Sequence, residues 1–405
     1  LCFISKGERI TYLTPVANGE QAKCQSISAA FSYETSSFKR MISLRQRFSK
    51  FNDAWVCNHF LLNPFGKLPF MSASLEEITW QKSLAQAIRD PQELISRLGL
   101  PDNLLEPASS TAHTFPLMVP LSYLNRIEPG NPNDPLLKQV LPIDLENQTV
   151  PGFRADAVGD LNVRQTPGIL HKYQGRALLM VSGTCAINCR YCFRRHYPYG
   201  DEPRTLAEWE PVWETLHADA SIQEVILSGG DPLLLTDHRL QELCDRISEI
   251  PHVKRLRIHS RLPVVLPNRI HTGLLEMFQR LAESGIVVWM VIHANHPNEI
   301  ADDAETAIRK LVQAGIPTLN QSVLLKGIND TVDTLAGLSE KLINLGVIPY
   351  YLHQLDRVTG VAHFEVPEEQ GRELIRELRI RLPGYAVPQY VREIAGEPHK
   401  ISLLG

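Results

Sequence analysis

From residue 176 onward the chain alternates short apolar or β-branched runs with amphipathic stretches of helical length, and this alternation limits the fold more than any other feature. Residues 176–181, 224–227, 255–259, 286–293, 318–324 and 347–352 are the strand candidates. Between them lie helix candidates at 206–217, 238–250, 273–284, 300–314 and 332–345. Repeated βα units build a parallel sheet, so the expected class is α/β. Six units rather than eight predict a partial (β/α)6 barrel of the TIM type, open on one side. A doubly wound open sheet is the rival, because strand order cannot be read from sequence.

Each strand candidate runs into a segment rich in polar and special residues, among them Cys185 to Arg195, Ser228-Gly229-Gly230-Asp231-Pro232, Ser260-Arg261 and Asn295-His296. In a barrel all these strand ends face one mouth, where sites are built. Composition agrees with a soluble globular protein: 43% of residues are hydrophobic and 21% charged, and the formal net charge of −4 gives no global basic surface for nucleic acid or anionic lipid. The apolar stretch at 286–292 is far shorter than the ~20 residues of a spanning helix. Seven cysteines are too few for a disulfide scaffold in a chain this long, which points to a reducing, cytoplasmic setting and to metal chemistry.

Residues 1–70 lack periodicity, are rich in Ser, Phe and Asn, and begin with Leu. They are expected to be disordered, or upstream sequence translated ahead of a start at Met71. A transit peptide is the alternative, since Lys39, Arg40, Arg45, Arg47 and Lys50 outnumber the nearby acids. No functional residue is expected before Met71. The other expected divisions are a helical and irregular extension at 71–165, with one acid-capped amphipathic pattern from Trp80 to Leu98, the barrel at 166–365, and a C-terminal segment at 366–405.

In Cys185-Ala-Ile-Asn-Cys189-Arg-Tyr-Cys192, three thiolates can converge on one small object. Three cysteines so spaced can bind three irons of a [4Fe–4S] cube, leaving the fourth iron free to chelate the amino and carboxylate groups of S-adenosylmethionine. Zinc with His196 as a fourth ligand, or three unrelated cysteines, are the alternatives. Cys244, on a helix pattern, reads as a small core residue. Near the C-terminus, Gly396-Glu-Pro-His-Lys400 places a lysine after a tight turn, where a solvated surface residue is the ordinary reading.

The cysteine loop followed by Gly229-Gly230-Asp231-Pro232 resembles the radical S-adenosylmethionine superfamily, in which a glycine-rich turn lets backbone approach the cofactor. The segments HKYQGRALLMVSGTCAINCRYCFRRH, LNQSVLLKGIND, PYYLHQLDRVTGVAHF and PGYAVPQYVREIAGEPHK resemble, in order and spacing, the lysine 2,3-aminomutase family from about Met71 to Lys400. That resemblance implies an isomerase with a [4Fe–4S] cluster on Cys185, Cys189 and Cys192, S-adenosylmethionine, and pyridoxal 5′-phosphate held on Lys400. It implies Arg176 and Gln321 as pyridoxal phosphate contacts, and Lys172 where relatives carry an arginine near the phosphate. Arg194 matches the arginine that grips the substrate carboxylate. Asp356 and Glu393 match the two acids that bind the ε-ammonium, Glu393 standing where catabolic relatives carry Asp. Gly229, Gly230, Asp231, Ser260, Arg261 and His293 match contacts to S-adenosylmethionine.

The GEPHK ending, Glu393 and the Phe193-Arg194-Arg195-His196 run further resemble the elongation factor P branch, whose members make (R)-β-lysine for a partner ligase. That branch implies L-lysine as substrate, elongation factor P and its ligase as pathway partners, and an electron donor such as flavodoxin. A catabolic lysine aminomutase, a mutase for another amino acid and a non-catalytic metal-binding protein are the competing readings.

Overall fold

The computed structural model describes residues 79–404, together with an antiparallel pair of two-residue strands, Ser5–Lys6 and Arg9–Ile10. The chain divides into units Leu1–Ala73 and Ser74–Gly405, and the second carries the sheet and helices. The expectations for residues 1–70 and for an acid-capped start near Leu75 lie outside the described residues.

Ten strands of this unit form one sheet: β1 (Arg164–Thr166), β2 (Ile169–Tyr173), β3 (Arg176–Ser182), β4 (Glu224–Gly229), β5 (Arg255–Ser260), β6 (Val287–His293), β7 (Thr318–Val323), β8 (Ile348–His353), β9 (Gln389–Arg392) and β10 (Ile401–Ser402). Their order in the sheet follows the chain without a crossing. Strands β3 to β9 run parallel, while β1, β2 and β10 are antiparallel to their neighbours. A doubly wound sheet must reverse its order at a switch point, and this one never does. The result is a partial barrel, with β1 and β10 left at its two edges.

All six expected barrel strands are present, to within a residue or two. A seventh parallel strand, β9, was not expected, nor were the short β1, β2 and β10. The apolar Tyr390 and Val391 of β9 follow Pro388 in a stretch of only four residues, too short for a period to show.

The helices begin where the sequence supplies caps. In α4 (Leu206–Ala218), Thr205 Oγ1 accepts from Glu208 N at 3.4 Å and Glu208 Oε2 accepts from Thr205 N at 3.0 Å, a reciprocal capping box. Ahead of it lie α1 (Trp80–Ala85), α2 (Pro91–Leu98) and α3 (Leu105–Ala112). The single pattern expected from Trp80 to Leu98 is thus two helices. Pro91 has no N–H and its ring would clash with the carbonyl four residues back, so the helix restarts there, with Asp90 Oδ1 accepting from Gln92 N at 2.9 Å.

Between strands follow α5 (Asp237–Ser248), α6 (Thr272–Glu283), α7 (Asp302–Gln313) and α8 (Val332–Asn344), and α9 (Glu368–Arg381) precedes β9. Parallel strands covered by such helices are buried on both faces, which explains why β4 reads as a continuous apolar run rather than an alternation. The extension shares this interior: Ile88, Leu94, Tyr123 and Leu136 belong to the same core as Leu179, Leu227, Ile258 and Ile292. Residues 120–151 supply short turns rather than long elements, as their prolines require. Cys244 is a buried residue of α5. Among the described residues no helix is long and apolar enough to cross a membrane.

Candidate active site

The C-terminal ends of the parallel strands surround a cavity of about 340 Å³. Every site residue named from the sequence lines it, the three cysteines and Lys400 included. Lys400 gets there because β9 and β10 pair antiparallel, Arg392 opposite Ile401, so the hairpin between them hangs over the mouth. The pairing of β9 with β8 fixes that hairpin beside Asp356, which follows β8.

Cys185, Cys189 and Cys192 follow β3 and are free thiols. Burial and the neighbouring Cys192 push the Cys185 thiol up, and burial with Cys189 pushes Cys192 up to about 11. Such thiols need a positive partner to ionise, which bound iron supplies. Among the described residues, no three His, Cys, Asp or Glu side chains gather where a single metal ion could sit. A cube that takes one thiolate at each of three irons needs no such point. The zinc reading is weakened further at His196, whose Nε2 is engaged with the Thr359 carbonyl oxygen at 3.1 Å.

The glycine pair after β4 is demanded by the cysteine loop itself. A methyl group on Gly229 would overlap the Ser182 carbonyl oxygen, and one on Gly230 would overlap that of Thr184. Gly229 also holds φ at +118°, a conformation that side chains disfavour. Asp231 then ties the turn to β5: Oδ1 accepts from Ser260 Oγ at 2.8 Å and from Leu233 N at 3.0 Å, and Oδ2 accepts from Arg261 N at 2.7 Å. Asp231 and Ser260 therefore spend their hydrogen bonds on each other and on backbone. Both line the cavity.

Arg261 is buried under the cluster loop, donating from Nη1 to Cys189 Sγ at 2.6 Å and from Nη2 to Glu299 Oε2 at 2.7 Å and Gln139 Oε1 at 2.9 Å. His293 Nε2 meets Tyr191 Oη at 2.8 Å, and burial with the Arg261 charge lowers its imidazole to about 3.

Lys400 forms an ion pair with Glu393 Oε2. The other carboxylate oxygen of Glu393 accepts from Lys172 Nζ at 2.7 Å. Burial alone would raise Glu393, but Lys400 and then Lys172 hold it at about 2. The Lys172 ammonium also forms an ion pair with Asp160 Oδ1 at 2.6 Å and donates to the Val158 carbonyl at 3.0 Å. In this arrangement Lys172 bridges Asp160 and Glu393 at the cavity wall. Arg194 donates from Nε to Asp160 Oδ2 at 2.7 Å and from Nη1 to Ser228 Oγ at 3.1 Å. Asp356, by contrast, is moved up to about 7 by burial and by the charge of Glu393.

Arg176 lies 4.8 Å from the centre of the Tyr173 ring, and the Tyr350 and Tyr351 rings stack at 3.7 Å between centroids. Gln321, on β7, pairs in register with His293 and Tyr351. The cavity carries the cations Lys172, Arg176, Arg194, Arg257, Arg261 and Lys400. Its acids are fewer: Asp160, Asp231, Asp356 and Glu393. Arg257 and Arg261 are paired with Glu224 and Glu299 outside the lining, so the charges nearly balance; Arg176 and Arg194 suit a phosphate and a carboxylate, the flat tyrosines suit an aromatic ring, and three thiols suit iron.

Sequence reasoning missed Asp160, which joins Lys172 to Arg194 from a stretch without periodicity. It also missed His259 and His353. Burial and nearby cations, Arg257 for the first and Lys400 for the second, keep both imidazoles neutral. Their place on the strands was a signal, since β5 and β8 turn every second residue into the barrel.

Residues 179–337 match the model of the radical SAM superfamily. L-lysine 2,3-aminomutase from Escherichia coli is 46% identical over 325 residues, covering 80% of this chain and 94% of that protein. The protein of the same name from Haemophilus influenzae is 45% identical over 333 residues, covering 82% of this chain and 98% of the relative. That from Clostridium subterminale is 35% identical over 318 residues, 78% of this chain and 76% of the relative.

Proposed function

The chain belongs to the L-lysine 2,3-aminomutase family of the radical SAM superfamily, and from that premise we propose that it moves the α-amino group of L-lysine to the β carbon, giving (R)-β-lysine. It is an isomerase whose cofactors are a [4Fe–4S] cluster, S-adenosylmethionine and pyridoxal 5′-phosphate. The observation that carries the reading is that the three cysteines and Lys400 line one cavity. When bound, the cofactors supply the one-electron chemistry and the carbonyl that a 1,2-amino shift needs.

The remaining tasks fall to the chain. Cys185, Cys189 and Cys192 would hold three irons. Lys400 would hold the pyridoxal carbonyl through its amine, with Glu393 as counter-ion to its charge. Arg176 and Gln321 would meet pyridoxal phosphate. Arg194, already oriented by Asp160 and Ser228, would grip the lysine carboxylate. Asp356 would take the ε-ammonium at the far end of the side chain. A shorter or acidic substrate would leave that carboxylate buried and unpaired, which disfavours it. His259 and His353, kept neutral by burial and by the nearby cations, add no charge to the wall near Lys400.

Within this activity, the GEPHK motif and Glu393 support a role in supplying β-lysine to a ligase that modifies elongation factor P, with reduction by a flavodoxin-type donor. The test is incubation of the anaerobically loaded, reduced enzyme with L-lysine and S-adenosylmethionine, followed by separation of α- from β-lysine. β-Lysine from the parent protein and none from Lys400→Ala is the expected result. Loss of the yellow pyridoxal band in Lys400→Ala, with iron content unchanged, separates failure of that lysine from failure of the cluster. A loaded, reduced enzyme that leaves L-lysine unchanged would refute the assignment.

A further inference from the structure

Glu146 does not line the cavity and lies in a turn of the extension, yet its buried carboxylate holds the cysteine loop. Oε1 accepts from Arg190 Nε at 2.8 Å. Oε2 accepts from Arg190 Nη2 at 2.6 Å and from Arg195 Nη2 at 2.7 Å. Arg190 and Arg195 flank Cys192, and Arg190 follows Cys189 directly. Both guanidiniums lie over the Phe115 ring, at 4.8 and 4.6 Å from its centre. Arg190 also donates to the Phe115 carbonyl at 2.8 Å, and its backbone N donates to the Gln139 carbonyl at 2.9 Å. The extension thus fastens the loop from below.

The same cluster reaches the loop after β8. Arg195 Nη1 donates to the Gly360 carbonyl at 3.2 Å, and a methyl group on Gly360 would lie 2.8 Å from that nitrogen. Gly360 stands four residues after Asp356, and Thr359 accepts from His196. One carboxylate is therefore shared by two buried guanidiniums, and those guanidiniums connect the thiol loop to the loop of the substrate acid. Without it, two positive charges would stay buried and uncompensated, and the loops could hydrate them only by moving apart.

We propose that Glu146 is a positioning residue that locks the cysteine loop and the Asp356 loop into one arrangement, so that cluster retention and lysine recognition depend on it together. The inference rests on the cluster and substrate assignments above. Its test loads the full chain, Glu146→Gln and Glu146→Asp with iron and sulfide anaerobically. Iron release to bathophenanthroline disulfonate is then timed well below the melting temperature, and lysine binding is titrated through the pyridoxal band.

Glu146→Gln is expected to release iron about 10- to 100-fold faster and to bind lysine at least about tenfold more weakly, with Glu146→Asp between it and the parent. Thr205→Ala, which weakens the cap of α4, is expected to lower the melting temperature and move neither reading. If Glu146→Gln cannot be folded, Glu146→Asp alone must still shift both readings. Parent-like iron release in a folded Glu146 variant, or faster release with unchanged lysine binding, would overturn the proposal. A parent protein that takes up no iron would instead remove the cluster assignment beneath it.

Discussion

Two carboxylates a short distance apart are driven in opposite directions. Burial and Glu393 raise Asp356 to about 7, while Lys400 and Lys172 hold Glu393 at about 2 against its burial. Such separation assigns different work to similar groups. Below pH 7 the empty site holds Asp356 protonated, and a lysine ε-ammonium must expel that proton to gain a carboxylate. Apparent lysine affinity should therefore fall about tenfold for each pH unit below 7, measured by titration of the pyridoxal band. Asp356→Asn should flatten that slope and weaken binding by about 3–5 kcal/mol at pH 8. Glu393 contributes stability of the opposite sign: present above its ordinary 4.5, lost as acid approaches 2. Acid titration of the melting temperature should show Glu393→Gln losing less than the parent across that window. The acids, the cysteines and Lys400 were legible because they stand in motifs or resemble positions in a family. Asp160 was not, because its meaning lies in partners that only the folded sheet brings near, and His259 and His353 offered only their alternation along a strand.

At the level of elements, the βα pattern was readable wherever a strand was long enough to hold an apolar run and a helix carried caps. It was unreadable in β1, β2, β9 and β10, which are held by their neighbours more than by their own residues. The Gly229-Gly230 turn shows what such packing demands. Gly230→Ala should push the cysteine loop off β4, since its new methyl group meets the backbone of Thr184 and no side chain can yield. The expected outcome is a loss of about 1–3 kcal/mol in denaturant unfolding together with poor iron loading. Ala at Thr205 should cost about 0.5–2 kcal/mol, with iron loading unchanged. The contrast between the two variants distinguishes a turn that shapes the site from a cap that merely starts a helix.

Over the whole molecule, the sequential sheet explains how residues far apart in the chain come to share a cavity. Parallel strands deliver their C-terminal ends to one mouth, and the β9–β10 hairpin returns the last residues across it. The extension is part of this machine, because it shares the barrel core and supplies Glu146 to the thiol loop. Its irregular turns could be recognised in the sequence but not placed, since turns carry no period and their partners are nonlocal. The central claim is the proximity of the cluster thiols to Lys400. Electron–nuclear double resonance on the reduced, loaded enzyme with 15N at the lysine α-amine reads it directly. A resolved dipolar coupling between cluster and label, lost in Lys400→Ala, is predicted, and a fully loaded enzyme with no such coupling would contradict the shared cavity.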